Sequence, residues 1–308
     1  MVILSLFNGM SCGYMALQEA GIPVTKYYSS EVDKHAVAMS SILYPDTIQL
    51  GDVRNIDVNE LDKVDILIGG SPCQSFSFAG KMKGMSTKCE KEITSLEQYL
   101  ELKSQNFEFE GQSYLFWEYV RIYTELRLIN PDIKFFLENV LMVEKWERLI
   151  SKTLDVNPIM INSALLSAQN RKRLYWTNIG MAPAGLFGEM TSTIKQPEDK
   201  GVLLKDILEE NVADRFYLSD KALRYLEKDT TNGWSDRLSM LNYEDRDKAG
   251  CITANHSKGV PYNMIKCVAM RGRNPENPKS IESGLHTEQM IEPRNDGKTI
   301  CLTSVQKD

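Results

Sequence analysis

Histidine is scarce in this chain, with three in 308 residues, and the six cysteines (12, 73, 89, 251, 267 and 301) show no CxxC spacing and no accompanying histidine ligands. That argues against a zinc site and against a disulfide framework, and it suits a reducing compartment such as the cytoplasm. No apolar run approaches the roughly 20 residues that a membrane-crossing helix needs. There is no GxGxxG fingerprint and no Walker lysine, so neither nicotinamide chemistry nor a phosphate-cradling loop is indicated. The first seven residues already form a strand-like apolar run, so no signal peptide is expected there.

Acidic residues are missing from three windows of an otherwise acidic chain of net charge −6. Between Asp65 and Glu90 there is none, but there are Lys81, Lys83 and Lys88. Between Asp155 and Glu189 there is none, and Arg171, Lys172 and Arg173 fall inside. Between Asp247 and Glu276 there is again none, with Lys248, Lys258, Lys266, Arg271 and Arg273. Such windows are what a polyanion-facing surface requires within an acidic protein.

What is present is an alternation of strand and helix. Residues 2–7 read as a buried strand, Asn8-Gly9 as a turn, and Ser11 as the cap of a helix that runs to about Ala20 and stops at Gly21. Residues 26–31 form a second strand and 33–44 a helix ended by Pro45. Residues 47–50 and 66–68 are further strands, 115–129 has helical spacing, and Phe135-Phe136-Leu137 leads into Glu138-Asn139-Val140 at another strand end. The order predicts a doubly wound α/β fold, a mostly parallel sheet covered on both faces. Ligands bind such sheets beyond the carboxyl ends of the strands. Phe7, Gly9, Glu31, Asp52, Cys73 and Glu138 are therefore expected along one rim. After about residue 180 the rhythm breaks, which predicts two regions, 1–180 and a smaller, less regular 181–308.

The segment Gly69-Gly70-Ser71-Pro72-Cys73-Gln74-Ser75 follows an apolar run, so its thiol is held on a rigid turn at a strand tip. The two glycines leave room for a ligand or another backbone. That is how a nucleophile is presented. A glycine loop opening a helix, with an acidic residue ending the next strand, suits a nucleoside: Glu31 for the ribose hydroxyls, Asp52 for an adenine amino group.

On these motifs the chain resembles the cytosine-C5 DNA methyltransferases over roughly residues 1–180. Ser5-Leu6-Phe7-Asn8-Gly9 is similar to the first S-adenosylmethionine motif, Ser71-Pro72-Cys73-Gln74-Ser75 to the nucleophile motif, and Glu138-Asn139-Val140 to the family's Glu-Asn-Val. Gln169-Asn170-Arg171-Lys172-Arg173 matches Gln-x-Arg-x-Arg. The resemblance implies S-adenosylmethionine as methyl donor, no metal, and a cofactor site of Phe7, Gly9, Ser11, Glu31, Val32, Asp52, Val53, Pro72 and Leu115. It implies Cys73 as nucleophile toward C6 of a flipped-out cytosine, Glu138 at N3 and the exocyclic amine, Arg171 at O2, and Arg173 supporting the loop and Cys73. Double-stranded DNA is the implied partner, met by Gln74, Ser77, Lys81, Lys83, Lys258, Arg271 and Arg273, with residues 75–113 as a mobile loop whose acidic part, 90–110, reads as an inserted helix. A cytoplasmic role in a bacterium or phage-infected cell, in restriction protection or self-marking, fits the same pattern.

Ser5 and Ser11-Cys12 depart from the bacterial form of the first motif. The family's later helix-forming and Asn-containing motifs have no counterpart before Asp308, so the recognition region 181–308 is expected to be incomplete, or completed by a second polypeptide. The alternatives are a catalytically silent or split-subunit DNA-binding relative and a tRNA cytosine-C5 methyltransferase. Two faintly similar segments, 249–253 and 299–303, suggest paired hairpins.

Overall fold

In this computed structural model the described residues are 1–73, 76, 85–89, 91–183, 190–208 and 248, with the backbone alone of 184, 189, 268–273 and 288–293. The chain divides into two compact units, Met1–Ile161 with Lys172–Gln196, and Asn162–Arg171 with Pro197–Asp308. The boundary near 180 expected from the sequence thus falls inside the first unit.

The first unit is built on β1 (Val2–Leu6), α1 (Cys12–Glu19), β2 (Lys26–Ser30), α2 (Lys34–Leu43), β3 (Ile48–Gln49), β4 (Ile66–Gly69), α3 (Leu96–Ser104), α4 (Phe116–Ile129), β5 (Lys134–Val140), α5 (Glu144–Leu154), β6 (Ile159–Asn162) and β7 (Lys172–Thr177). The strands form one seven-stranded sheet in the order β3-β2-β1-β4-β5-β7-β6. The pairs β1–β2, β1–β4, β2–β3 and β4–β5 are parallel. The sheet is mostly parallel, as expected, with one antiparallel pairing, between β7 and β5. Apolar content marks a buried strand but not its direction.

Side chains alternate across the sheet. Ile3, Tyr27 and Ile66 pack under Tyr14 and Leu17 of α1. Leu4, Leu6, Tyr28, Leu67, Phe135 and Leu137 face the other way, into the larger core with Trp117, Ile122, Trp146 and Ile150 of α4 and α5. Both faces are therefore covered, which is why the strands read as near-continuous apolar runs. The strand order reverses between β1 and β4, so the crevice at a topological switch point opens beyond the carboxyl ends of those two strands.

Local signals act mostly as the sequence predicts. Asp33 caps α2, accepting from the amides of His35 and Ala36 at 2.9 Å. Gly21, with φ +69°, ends α1 with bonds from Gly21 N to the Gln18 carbonyl and Ile22 N to the Leu17 carbonyl, both 2.9 Å. Ser11 departs from expectation. It precedes α1 with φ +64° and its hydroxyl does not cap the helix. A capping serine needs an extended backbone, and here the left-handed entry turns the hydroxyl inward. The Glu138-Asn139-Val140 triplet stands at a strand end, as expected, forming the last three residues of β5. Within the segment 75–113, the helix expected in the acidic part 90–110 is α3, and two bridges, Ser86 with Glu92 and Thr87 with Phe109, add to it. Residues 75, 77–84 and 90 of this segment lie outside the described set.

A hairpin follows β7, in which β8 (Met181–Ala184) pairs antiparallel with β9 (Glu189–Ser192). In the second unit β10 (Val268–Arg273) pairs antiparallel with β11 (Glu288–Pro293). The similar segments at 249–253 and 299–303 lie outside the described residues. No described helix is long and apolar enough to cross a membrane.

Candidate active site on the carboxyl rim of the sheet

The strand registers set the rim. Leu6 pairs with both Ser30 and Gly69, and Gly69 pairs with Leu137. Those four residues form one level row across β2, β1, β4 and β5. The next residue of each strand is Glu31, Phe7, Gly70 and Glu138. Three of the sequence-predicted positions, Phe7, Glu31 and Glu138, are thus brought to one height by backbone pairing alone.

At β1 the chain turns sharply, with positive φ at Phe7, Gly9 and Ser11. Glu31 braces that turn from β2: its Oε2 accepts from Gly9 N at 2.8 Å, and its Oε1 accepts from the amides of Val32 and Asp33 at 2.7 and 2.9 Å. Oε1 therefore has two backbone partners and Oε2 one, so Oε2 is the atom with acceptor capacity left for a ligand. Nothing lies within 4 Å of where a side chain at Gly9 would begin. Val32, next to Glu31 in the chain, is 70% exposed. Below the turn runs a buried polar chain. Tyr27 donates to Asn8 Oδ1 at 3.0 Å, Asn8 donates to Ser11 Oγ at 2.7 Å, and Ser11 and Ser40 share a 2.6 Å bond. Burial pushes the Tyr27 hydroxyl up to about 12, so it remains a donor. Ser11, expected at the cofactor, is fully buried in this chain of bonds.

Asp52 heads a short 3-10 turn, Val53–Asn55, after β3. Its Oδ1 accepts from Arg54 N at 2.9 Å and from Arg54 Nε at 3.0 Å, and the Arg54 guanidinium spans both oxygens. That side-chain bond holds the Asp52 carboxyl below its ordinary value. Val53 is buried in the main core. Leu115 ends the 3-10 turn Ser113–Leu115 that enters α4 and packs partly buried against the same core.

Cys73 is partly exposed on a segment fixed at both ends. Upstream, Asn139 of β5 donates to the Ser71 carbonyl at 3.2 Å and to its hydroxyl at 3.1 Å. Downstream, Phe76 N donates to the Cys73 carbonyl at 3.0 Å, and the Phe76 ring is wholly buried beside Trp146. The room beside Gly69 and Gly70 is taken by the protein itself. A Cβ on Gly69 would lie 3.0 Å from the Leu6 carbonyl, and one on Gly70 3.1 Å from Glu138 Oε2. Glu138 is therefore drawn close to the Cys73 segment. Its other oxygen forms an ion pair with Arg173 Nε at 2.9 Å. Val140 pairs with Arg173 and Glu138 with Tyr175, so the two charges are diagonal neighbours across β5 and β7. Arg173, expected to support the loop and Cys73, contacts the Glu138 carboxylate.

Arg171 belongs to the second unit, where its amide donates to Asn162 Oδ1 at 3.0 Å. Gln74, Ser77, Lys81, Lys83 and Lys258 lie outside the described residues, and Arg271 and Arg273 are placed by backbone only. The supporting bonds of Asn8 and Arg54 were not foreseen. The first was hidden in a turn dipeptide, and the second was marked only by standing two residues after an aspartate. No cluster of three or more metal-ligating side chains occurs among the described residues.

The model of the family described as C-5 cytosine-specific DNA methylase matches residues 1–299. The orphan methyltransferase M.SPRI of Bacillus phage SPR is 30% identical over 85% of this chain and 61% of its own length. The orphan methyltransferase M.Rho11sI of Bacillus phage rho11s is 27% identical over 73% of this chain and 48% of its own. Type II methyltransferase M1.ScrFI of Lactococcus lactis subsp. cremoris is 28% identical over 89% and 65%. The chain thus spans between about half and two thirds of the length of these relatives. Among solved structures, S. pombe Dnmt2 methyltransferase superposes with a TM-score of 0.55 at 15% identity, covering 92% of this chain and 78% of that one. Spodoptera frugiperda DNMT2 gives 0.50 at 19%, covering 83% and 71%. These two likenesses carry the fold, a Rossmann-like methyltransferase sheet, and the sequence match over almost its whole length carries the rest: the chain belongs to the C-5 cytosine-specific DNA methylase family.

Proposed function

We propose that this protein transfers a methyl group from S-adenosylmethionine to C5 of a cytosine flipped out of double-stranded DNA. The observation that carries the reading is the level row of the rim, which sets the Phe7–Gly9 turn, Glu31, the Cys73 segment and Glu138 beside one crevice. The donor fits the open space at Gly9, with Glu31 Oε2 free to accept from a ribose hydroxyl and Asp52 from an adenine amino group. When bound, it supplies an electrophilic methyl on a sulfonium.

The rest of the chemistry falls to the chain. C5 of cytosine is a weak nucleophile. Addition of the Cys73 thiolate to C6 forms an S–C6 bond and moves electron density to C5. C5 then takes the methyl as the sulfonium's S–CH3 bond breaks. Loss of the C5 proton to a base and departure of the thiolate restore the ring. Glu138, held at 2.9 Å from Arg173, contacts N3 and the exocyclic amine and stabilises the charge that develops there. Asn139 acts by orienting, since both its bonds to Ser71 fix the segment that carries the thiol. Arg171 is assigned to cytosine O2. A base inside a duplex is out of reach of this chemistry, so it must be extruded.

The test is transfer of labelled methyl to unmodified duplex DNA and, in parallel, to tRNA. Cys73→Ala is expected to abolish transfer, and Glu138→Gln to lower kcat by about 10²–10⁴-fold. Label reaching DNA equally well in the Cys73→Ala protein overturns the mechanism, and label reaching only tRNA overturns the substrate.

A further inference from the structure

Behind the Asp52 turn lies a buried charge that the chemistry above does not use. The Glu118 side chain on α4 is fully buried. Its Oε1 accepts from Tyr99 OH at 2.6 Å and from Lys103 Nζ, both on α3, and its Oε2 accepts from Arg121 Nε at 2.7 Å. Burial, and then the bond to Glu118, push the Tyr99 hydroxyl well above its ordinary value, so it stays protonated and donating. The two cations face onward. Arg121 donates to the Ile56 carbonyl at 3.2 Å and the Val53 carbonyl at 3.3 Å, and Lys103 reaches the Arg54 carbonyl at 3.5 Å. Three carbonyls of the short segment that begins at Asp52 are therefore gripped from behind by two cations; buried Glu118 pairs with both, and Glu125 holds Arg121 as well, at 2.9 Å.

A buried ion cluster is a poor way to hold two helices together, because desolvating the charges offsets most of their attraction. Apolar side chains of similar volume would pack α3 on α4 as well. They would not reach the carbonyls of Val53, Arg54 and Ile56. We propose that Glu118, through Lys103 and Arg121, is a positioning residue that fixes the orientation of the Asp52 carboxylate toward the adenine amino group. This gives a role to the inserted helix α3. The inference rests on the proposed cofactor reading of the rim.

The experiment compares wild type with Lys103→Met, which keeps most of the apolar stem of a partly exposed residue, and with Lys103→Arg, which restores the charge. Affinities are measured by calorimetry for S-adenosylhomocysteine and for its inosine counterpart, whose base carries a keto group instead of the amino group. Wild type should prefer the adenine compound by roughly 10–100-fold, because a site built to accept from a donor rejects an analogue lacking it. Lys103→Met should compress that preference to about threefold or less, and Lys103→Arg should recover it. Hydrogen exchange at the Arg54 and Asn55 amides, which bond to Asp52, should quicken about tenfold in Lys103→Met, while β1 and β4 are unchanged. A general loss of stability would weaken both compounds alike. If Lys103→Met keeps the preference and the protection, the positioning role is overturned. If wild type binds neither compound, the cofactor reading fails, and the amide exchange still decides whether α3 fixes the turn.

Discussion

Gly69 and Gly70 are adjacent in the chain yet lack a side chain for different reasons. A Cβ at Gly69 would press on the Leu6 carbonyl and on the Tyr119 ring at 3.1 Å, both fixed parts of the core. Gly69→Ala should therefore destabilise by about 1–3 kcal/mol, read as a lowered urea midpoint. A Cβ at Gly70 would press on a carboxylate at the end of a side chain. Gly70→Ala should leave stability within about 0.5 kcal/mol and lower methyl transfer by tenfold or more, up to the ~10²-fold that a misplacement of about 1 Å can cost. Unchanged transfer in a folded Gly70→Ala protein would remove Glu138 from the chemistry. The sequence marked both glycines as places of close approach, and it could not say that the approaching groups were the protein's own. Asp52 gives a pH signature at the same scale. Arg54 depresses its folded pKa below 3.8, so its contribution is whole above that value and is lost as pH falls through the folded one. The pair is partly exposed and worth about 0.2–1 kcal/mol. The stability difference between wild type and Asp52→Asn, which keeps the turn-capping oxygen, should be flat above about pH 4 and close below it. A difference that grows on acidification overturns this.

At the scale of elements, the apolar runs and turn residues were enough to place β1, α1, β2, α2, β4, α4 and the start of β5, because each is decided by local burial and capping. What escaped was set by partners distant in sequence. The Ser11 hydroxyl looked like a cap, yet it is claimed by Ser40 on the next helix, 29 residues away. Glu138 was legible as a strand-end residue, but the continuation of β5 to Val140 by pairing with β7 was not. The acidic stretch before Ser113 showed only helical spacing, and its charges acquire meaning when Lys103 meets Glu118. The buried chain from Tyr27 to Ser40 joins β2, the first turn and α2. Ser40→Ala removes one member and should cost about 1–2 kcal/mol in urea unfolding. No change would mean that Gln49, 3.4 Å from the Ser40 hydroxyl, or water takes over its role.

Across the whole molecule, the acid-free window 248–275 is carried forward as a proposed DNA-facing surface, with one refinement from the ribbon. The pairing sets Arg273 opposite Glu288 and Ala269 opposite Glu292. A window without acids in sequence therefore has two at its side in the sheet, which no reading of a single segment reveals. Arg271→Glu with Arg273→Glu should weaken DNA binding and flatten its dependence on salt, whereas Glu288→Gln should tighten it. Equal binding by all three proteins at several salt concentrations would take the ribbon out of the interface.

The division into units has a consequence for how the chain can come apart. The second unit begins at Asn162, is left at Arg171 and is resumed at Pro197. The backbone therefore passes between the units three times, at 161–162, 171–172 and 196–197. Its short early piece is stitched to the later one by the bond from Lys200 N to the Leu165 carbonyl at 2.8 Å and from Lys248 Nζ to the Ser167 carbonyl at 3.1 Å. A single nick near residue 197 leaves residues 162–171 covalently within the first fragment, and that ten-residue piece must wait during synthesis for a partner that is made later.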